Sequence, residues 1–119
     1  MNTKLLGSFG EAQTAEYLRK SGCKILGMNY RTRLGEIDVI ASDGRYIRFV
    51  EVKLRKDSAM AEAREFVTPA KQRKVRTAAM YYLMENPTEK QPRFDVMEVY
   101  APQGQETRRP VIRHWPNAF

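Results

Sequence analysis

The dipeptide Asp43-Gly44 limits most strongly what this chain can fold into, because it lies between two runs of β-forming residues. Asp-Gly between such runs is the strongest short-range signal for a β-hairpin. It predicts a turn over Ser42–Arg45 that joins a strand at Glu36–Ala41 to a strand at Tyr46–Leu54. We therefore expect an antiparallel pair of strands near the middle of the chain.

Two segments with apolar residues at spacings of three and four predict helices. The first runs from about Thr3 to Ser21, where Gly22 follows as a C-cap residue. The second begins at Thr68-Pro69, an N-cap residue with proline at the first helical position, and ends before Asn86-Pro87.

The remaining β-rich runs complete an α/β pattern. Strands are predicted at Lys24–Arg31, Phe94–Tyr100 and Val111–Trp115, and the segment Leu54–Val67 is either a loop or a short helix. The order α-β-β-β-α-β-β predicts one domain over residues 1–119, an α/β sandwich with a mixed sheet. The second helix supplies the crossover that a parallel pair of strands requires.

The charge and the apolar pattern bear on partners and location. Lys and Arg number 21 against 14 Asp and Glu, a net charge of +7, which favours a polyanionic partner such as nucleic acid. The single cysteine, Cys23, excludes an intrachain disulfide. No apolar run approaches the length of a membrane span, and the first residues do not resemble a signal peptide. We expect a cytoplasmic protein without membrane association.

Two carboxylates on the predicted hairpin are the main candidates for chemistry. With Asp43 and Gly44 as the central turn residues, Glu36 pairs with Glu51, Asp38 with Phe49 and Ile40 with Ile47. Strand alternation then places on one face the residues Glu36, Asp38, Ile40, Ile47, Phe49, Glu51 and Lys53. Carboxylates between apolar neighbours are costly unless they are paired or bind a metal. Asp38 and Glu51 are therefore predicted to hold Mg²⁺, beside Lys53, or else to form a structural ion-pair cluster.

Other polar residues converge on this predicted face. Glu11 borders the apolar stripe of the first helix, either as a third metal ligand or as a partner of a basic residue. Gln72 continues the inner stripe of the second helix at its N-terminal end, where phosphate is attracted, or else it is a satisfied polar residue at a helix start. Basic residues flank the open end of the hairpin and the start of the second helix, and they are either nucleic-acid contacts or a solvated surface. Those at the hairpin are Arg31, Arg33, Arg55 and Lys56, and those at the helix are Lys71, Arg73, Lys74 and Arg76.

Several motifs resemble one family. These are Asn29-x-Arg31, Gly35-Glu36-Ile37-Asp38-Val39-Ile40-Ala41, Phe49-Val50-Glu51-Val52-Lys53-x-Arg55, Thr68-x-x-Lys71-Gln72, Arg93-Phe94-Asp95-Val96 and Asn117-Ala118-Phe119. Together they resemble the YraN-like family of uncharacterised bacterial proteins. That family is similar to the PD-(D/E)xK nucleases, close to archaeal-type Holliday junction resolvases, which implies a restriction-endonuclease-like fold.

The resemblance also implies roles for individual residues. Asp38 and Glu51 match the metal ligands, joined by the main-chain carbonyl of Val52, and Lys53 matches the signature lysine. Glu11 and Gln72 match the helix acid and the polar helper residue. Ile37 stands where the superfamily name has proline, and Ser58–Arg64 lacks an expected glycine.

Three functional hypotheses follow. The first is a Mg²⁺- or Mn²⁺-dependent DNA endonuclease selective for branched DNA, with RNA left open as a substrate. The second is a nucleic-acid-binding module whose nuclease site is weak or depends on a partner. The third is a structural protein with a buried ion-pair network. The intact Asp-Glu-Lys set favours the first over the third, and a resolvase would act as a homodimer because it cuts two strands.

Overall fold

Five strands form one mixed sheet in the computed structural model, which describes residues 3–56 and 67–119. The elements are α1 (Thr3–Lys20), β1 (Lys24–Thr32), β2 (Gly35–Ser42), β3 (Tyr46–Arg55), α2 (Pro69–Glu85), β4 (Gln91–Tyr100) and β5 (Val111–Trp115). The strands lie in the sheet in chain order, and only β3 and β4 are parallel. The predicted α/β class and the order α-β-β-β-α-β-β are confirmed.

The two helices cover opposite faces of the sheet, because neighbouring strand residues pack against different helices. One core cluster joins α2 to the sheet: Val75, Ala78, Ala79, Ile37, Ile40, Ile47 and Phe49. The other extends from α1: Leu18, Cys23, Val39, Ala41, Val50 and Met97. The central strands are therefore covered on both sides, as their nearly continuous apolar sequences require.

The turn between β2 and β3 differs from the prediction. Asp43 is the first turn residue, and its Oδ1 accepts hydrogen bonds from the N–H groups of Arg45 and Tyr46, each at 2.7 Å. The Asp43 N–H donates to the Tyr46 carbonyl at 3.0 Å, so Gly44 and Arg45 are the central residues. Gly44 lacks the positive φ of a type I′ turn, whereas aspartate is favoured at the first position of type I.

This turn changes the pairing of the two strands. Ile40 pairs with Phe49, not with Ile47, so the predicted register is wrong by two residues. The last recorded pair is Val39 with Val50, and Asp38 and Glu51 are the next residue on each strand. The two carboxylates therefore lie at the same level of the hairpin, closer than in the predicted register, where Asp38 pairs with Phe49 and Glu51 with Glu36.

The strict alternation predicted along β2 is also interrupted. Ile37 and Ile40 both pack in the α2 cluster, although they are three residues apart, while Val39 packs on the α1 side. Glu36, Asp38 and Ile40 therefore do not share one face. In β1, Tyr30 pairs with Ile37 and Met28 with Val39, and Asn29 between them has a left-handed φ of 54°. The pleat changes at the level of Asp38.

Two sequence expectations fall wholly or partly outside this description. Residues 57–66 are not described, so neither the loop-or-helix alternative for Leu54–Val67 nor the missing glycine of Ser58–Arg64 is tested there. Among the described residues, none of the helices is long and apolar enough to cross a lipid bilayer.

Candidate active site

Glu51 is a carboxylate buried at the centre of the candidate site. Its side chain is 2% exposed, and its Oε1 has no hydrogen-bond partner among the described residues. Its Oε2 lies 3.6 Å from Nζ of Lys71 on α2. Burial, followed by the neighbouring charge of Asp38, raises the pKa of Glu51 to about 7. Such a group is stable in the ionised form only beside a cation.

Asp38 lies at the point where the β2–β3 pairing ends. Its Oδ2 accepts the N–H of Val52 at 2.8 Å, a bond that crosses from β2 to β3. Burial raises the pKa of Asp38, whereas the Val52 hydrogen bond and the charges of Lys71 and Lys53 act in the opposite direction. The backbone of β3 thus fixes one carboxylate oxygen of Asp38.

Lys53 follows Glu51 by two residues on β3, which is the spacing on which the predicted acid–lysine set depends. It is partly buried, and its positive charge lowers the pKa of both Asp38 and Glu51. Two acids and one lysine therefore share an electrostatic environment at the end of the hairpin. This part of the predicted site is brought together by the fold.

Glu11 approaches the same region from α1. Its Oε1 accepts a hydrogen bond from Nδ2 of Asn29 at 2.9 Å. Burial is the main cause of the raised pKa of Glu11, and the charges of Asp38 and Glu36 contribute. The motif Asn29-x-Arg31 contains this asparagine, but the sequence alone predicts no role for it. Its side chain orients Glu11, and its left-handed φ is one that asparagine tolerates better than most residues.

Gln72 is a satisfied polar residue at the start of α2, which is one of the two alternatives that the sequence leaves open. The Gln72 Nε2 donates to the carbonyl of Val67 at 2.9 Å, so the amide holds the residue that precedes the N-cap of α2. The neighbouring Lys71 instead reaches Glu51. Helical spacing places Gln72 on the apolar stripe of α2, but the contact with the acid is made by Lys71.

The close approach of α2 to the hairpin depends on Gly35. A Cβ atom at this position would overlap the main-chain carbonyl of Lys74. Glycine therefore allows the first half of α2 to pack directly against the start of β2. This contact brings Lys71 to Glu51 and places Lys74 in a groove with Glu36.

The eight predicted basic residues separate into three groups. Arg31, Arg33, Lys71 and Lys74 line a groove of about 380 Å³ beside Glu36. Arg73 and Lys56 are exposed, and Lys56 borders other cavities near Pro102.

Two of the basic residues contact other parts of the fold, Arg55 from a half-buried position and Arg76 from an exposed one. The Nε of Arg55 lies 3.5 Å from Oε2 of Glu98, which is fully buried, and Arg76 stacks over the rings of Phe94 and Phe119. For all eight residues, contact with nucleic acid stays a prediction; the four groove residues lie together on one surface.

The donor set suits a hard divalent cation. Residues 3–56 and 67–119 contain no group of three or more His, Cys, Asp or Glu side chains that could hold a metal. Mg²⁺, however, is commonly bound through one or two carboxylates, with waters and substrate phosphate completing the shell. Asp38 and the Glu51 oxygen that has no hydrogen-bond partner among the described residues fit that requirement, and the main-chain carbonyl of Val52 stays a predicted ligand.

The sequence is similar to one protein family over most of its length. Residues 10–99 match the uncharacterised protein family UPF0102. A UPF0102 protein of Syntrophotalea carbinolica is 44% identical over 115 residues, which is 96% of this chain and 90% of the relative. A UPF0102 protein of Clostridioides difficile is 43% identical over 120 residues and the full length of both chains. The resemblance to the YraN-like family is thereby confirmed.

Proposed function

The chain belongs to the uncharacterised protein family UPF0102, and we propose that it is a Mg²⁺- or Mn²⁺-dependent DNA endonuclease. One observation carries the proposal. The buried Glu51 has an oxygen without a hydrogen-bond partner in residues 3–56 and 67–119, at the same level of the hairpin as Asp38 and two residues before Lys53. A buried carboxylate pair with a neighbouring lysine is expected where a cation and a phosphodiester are bound together.

In the proposed cleavage reaction, different residues of the chain would bind the cation, stabilise the transition state and bind the DNA phosphates. Asp38, Glu51 and the Val52 carbonyl would hold the cation, which when bound polarises a phosphodiester oxygen and acidifies water. The Lys53 ammonium would donate a hydrogen bond to the attacking water or to a non-bridging phosphate oxygen, stabilising charge that develops in the transition state. The groove residues Arg31, Arg33, Lys71 and Lys74 would hold the flanking phosphates.

The direct test is cleavage of labelled DNA by the purified full-length chain with Mg²⁺ or Mn²⁺. Duplex, single-stranded, flap and four-way-junction DNA are compared, with a matched RNA as a further substrate. Metal-dependent products that disappear with EDTA support the endonuclease. Binding of DNA without products from any of these substrates would overturn it.

One contact favours the second hypothesis, a nucleic-acid-binding module with a weak or partner-dependent site. Lys71 Nζ lies 3.6 Å from Glu51 Oε2, so the chain supplies its own cation to the acids. A metal must compete with this ammonium. If it competes poorly, the cationic groove would bind DNA while cleavage remained slow.

Lys71→Met is expected to bind Mn²⁺ about 5-fold more tightly than the wild type does, because the variant removes a competing positive charge that is only partly buried. Isothermal titration of Mn²⁺ into the protein without DNA measures this affinity. Lys74→Met is the matched control, since Lys74 lies in the same groove but, within the described part of the chain, forms no ion pair with Glu51. Unchanged or weaker Mn²⁺ binding by Lys71→Met would contradict the competition.

Replacing Arg33 and Lys74 together by alanine is expected to weaken DNA binding for all sequences. Each lost phosphate contact lowers the slope of log affinity against log salt concentration by about one unit on duplex DNA. Fluorescence anisotropy at several salt concentrations measures the slope. Lys20→Ala is the control, because Lys20 is exposed on α1 and pairs with Glu16. A slope equal to that of the wild type would show that the groove does not contact the backbone.

A further inference from the structure

A second concave surface adjoins the cationic groove. It has a volume of about 690 Å³ and lies between the β1–β2 turn and the C-terminal half of α2. Its walls include Tyr30, Leu34, Tyr81 and Glu85. This volume lies within the ~300–1,000 Å³ typical of small-ligand sites. Nothing in the proposed metal chemistry uses it.

One wall of this cavity is held in place by contacts of Tyr30, and the other walls carry exposed apolar side chains. The hydroxyl of Tyr30 donates to Oε1 of Glu85 at 2.5 Å, and its ring packs edge-on against Tyr82 with centroids 5.3 Å apart. Tyr81 is 43% exposed and Leu34 is 56% exposed, although both are large and apolar. An aromatic ring and a leucine facing a concave surface are suited to a flat, partly apolar ligand.

The cavity and the groove are continuous through the β1–β2 turn. Residues from Arg31 to Leu34 line both, so the two arginines stand between them. The far side of the groove is formed by Lys71, which reaches Glu51. A nucleic-acid strand with a phosphate in the groove would therefore present the adjoining base to the cavity.

We propose that the cavity at Tyr81 binds an unpaired nucleobase of the DNA substrate, next to the phosphate held in the cationic groove. The proposal rests on the proposed function and defines its substrate class as DNA with single-stranded nucleotides at the cleavage site. A base inside a duplex is stacked on both faces and paired along its edge, so it cannot stack on a protein ring. Stacking on an aromatic side chain accepts any base, and the flanking arginines complement the phosphates.

The test compares two DNAs by fluorescence anisotropy in EDTA, which prevents metal-dependent cleavage. One is a blunt duplex, and the other is the same duplex with a short single-stranded extension. The wild type is expected to prefer the extended DNA. Tyr81→Ala is expected to bind the extended DNA about 10- to 100-fold more weakly and the blunt duplex as before. Tyr81→Phe is expected to retain the preference, because it keeps the ring.

Two further variants make the comparison specific. Leu34→Ala removes a second wall and is expected to reduce the same preference. Met80→Ala is the control, since Met80 is 64% exposed and precedes Tyr81 on α2 without lining the cavity. Circular dichroism checks that each variant is folded. Equal affinity of Tyr81→Ala and wild type for the extended DNA, or no preference by the wild type, would overturn the proposal.

The same DNAs separate this proposal from the proposed function when Mn²⁺ replaces EDTA. Cleavage by the wild type, with binding independent of Tyr81, overturns the base site and leaves the endonuclease. Binding of the extended DNA that depends on Tyr81, without cleavage of any DNA, supports the base site and overturns the endonuclease. Failure of the wild type to bind either DNA overturns both.

Discussion

Asp38→Asn is expected to reduce metal-dependent DNA cleavage at least ~1,000-fold, because it removes one of two carboxylates proposed to hold the cation. The amide oxygen of asparagine can still accept the N–H of Val52, which Asp38 Oδ2 accepts at 2.8 Å. The variant therefore removes charge and keeps the connection between β2 and β3. Initial rates on labelled DNA with Mn²⁺ measure the effect, and a thermal melt checks the fold.

The control for this variant is another carboxylate outside the site. Glu16 lies on α1, where it is exposed and contacts Arg19 and Lys20. Glu16→Gln makes the same change of charge and should cleave at nearly the wild-type rate. Cleavage by Asp38→Asn at the rate of Glu16→Gln would show that Asp38 holds no catalytic cation.

The second large effect is expected at Asp95, where Asp95→Asn should lower the free energy of unfolding by about 3–5 kcal/mol. Asp95 is fully buried on β4. Its carboxylate accepts two hydrogen bonds from Arg93 at 2.8 Å, one from Nε2 of His114 at 2.7 Å and one from the Asn117 N–H at 3.0 Å. These bonds join β4, β5 and the C-terminal residues, and the neutral variant leaves the guanidinium of Arg93 without its anion.

The dependence of this effect on pH follows from the pKa of Asp95. Hydrogen bonds from His114, Arg93 and the Asn117 backbone outweigh burial and lower the pKa from 3.8 to about 2. A lowered folded-state pKa contributes stability above the unfolded pKa and loses it as the pH falls toward the folded value. The difference between wild type and Asp95→Asn should therefore be full above about pH 5 and be smaller by about 2 kcal/mol at pH 2.

Denaturant unfolding at several pH values measures both parts of this prediction. Asp43 also has a pKa lowered to about 2, so the wild type alone would report the sum of several acids. The difference between the two proteins isolates Asp95. A difference that stays constant from pH 6 to pH 2 would contradict the assignment to the ionised carboxylate.

The elements of the fold could be predicted because their signals are local. Apolar spacing, the Thr68-Pro69 start and Gly22 after α1 located the helices, and Gly22 has the positive φ of a C-cap at 95°. The prediction began β4 at Phe94, whereas the strand begins at Gln91 and includes Pro92. There β4 pairs only with β3, because the pairing with β5 begins at Val96, so proline lies at an open edge.

The site was predicted in part. The spacing of Asp38, Glu51 and Lys53 along two strands was sufficient to select these residues, and the family resemblance pointed to the same three. The register needed the structure, because one hydrogen-bonding side chain, Asp43, decided between two turns that share the same Asp-Gly sequence. The register differs from the predicted one by two residues, an even number, so Glu51 and Phe49 on β3 lie on the predicted face of that strand.

The sequence by itself determined the order of the elements, the family and the acidic pair with its lysine, because each depends on the spacing of residues within short segments of the chain. Tertiary structure alone decided that Lys71 rather than Gln72 meets Glu51, and that Arg55 and Arg76 pack against Glu98 and Phe94. It also placed Tyr81 beside the groove. The reason is physical: contacts between a helix and a sheet depend on the packing angle and on small differences in side-chain reach, which no local pattern encodes.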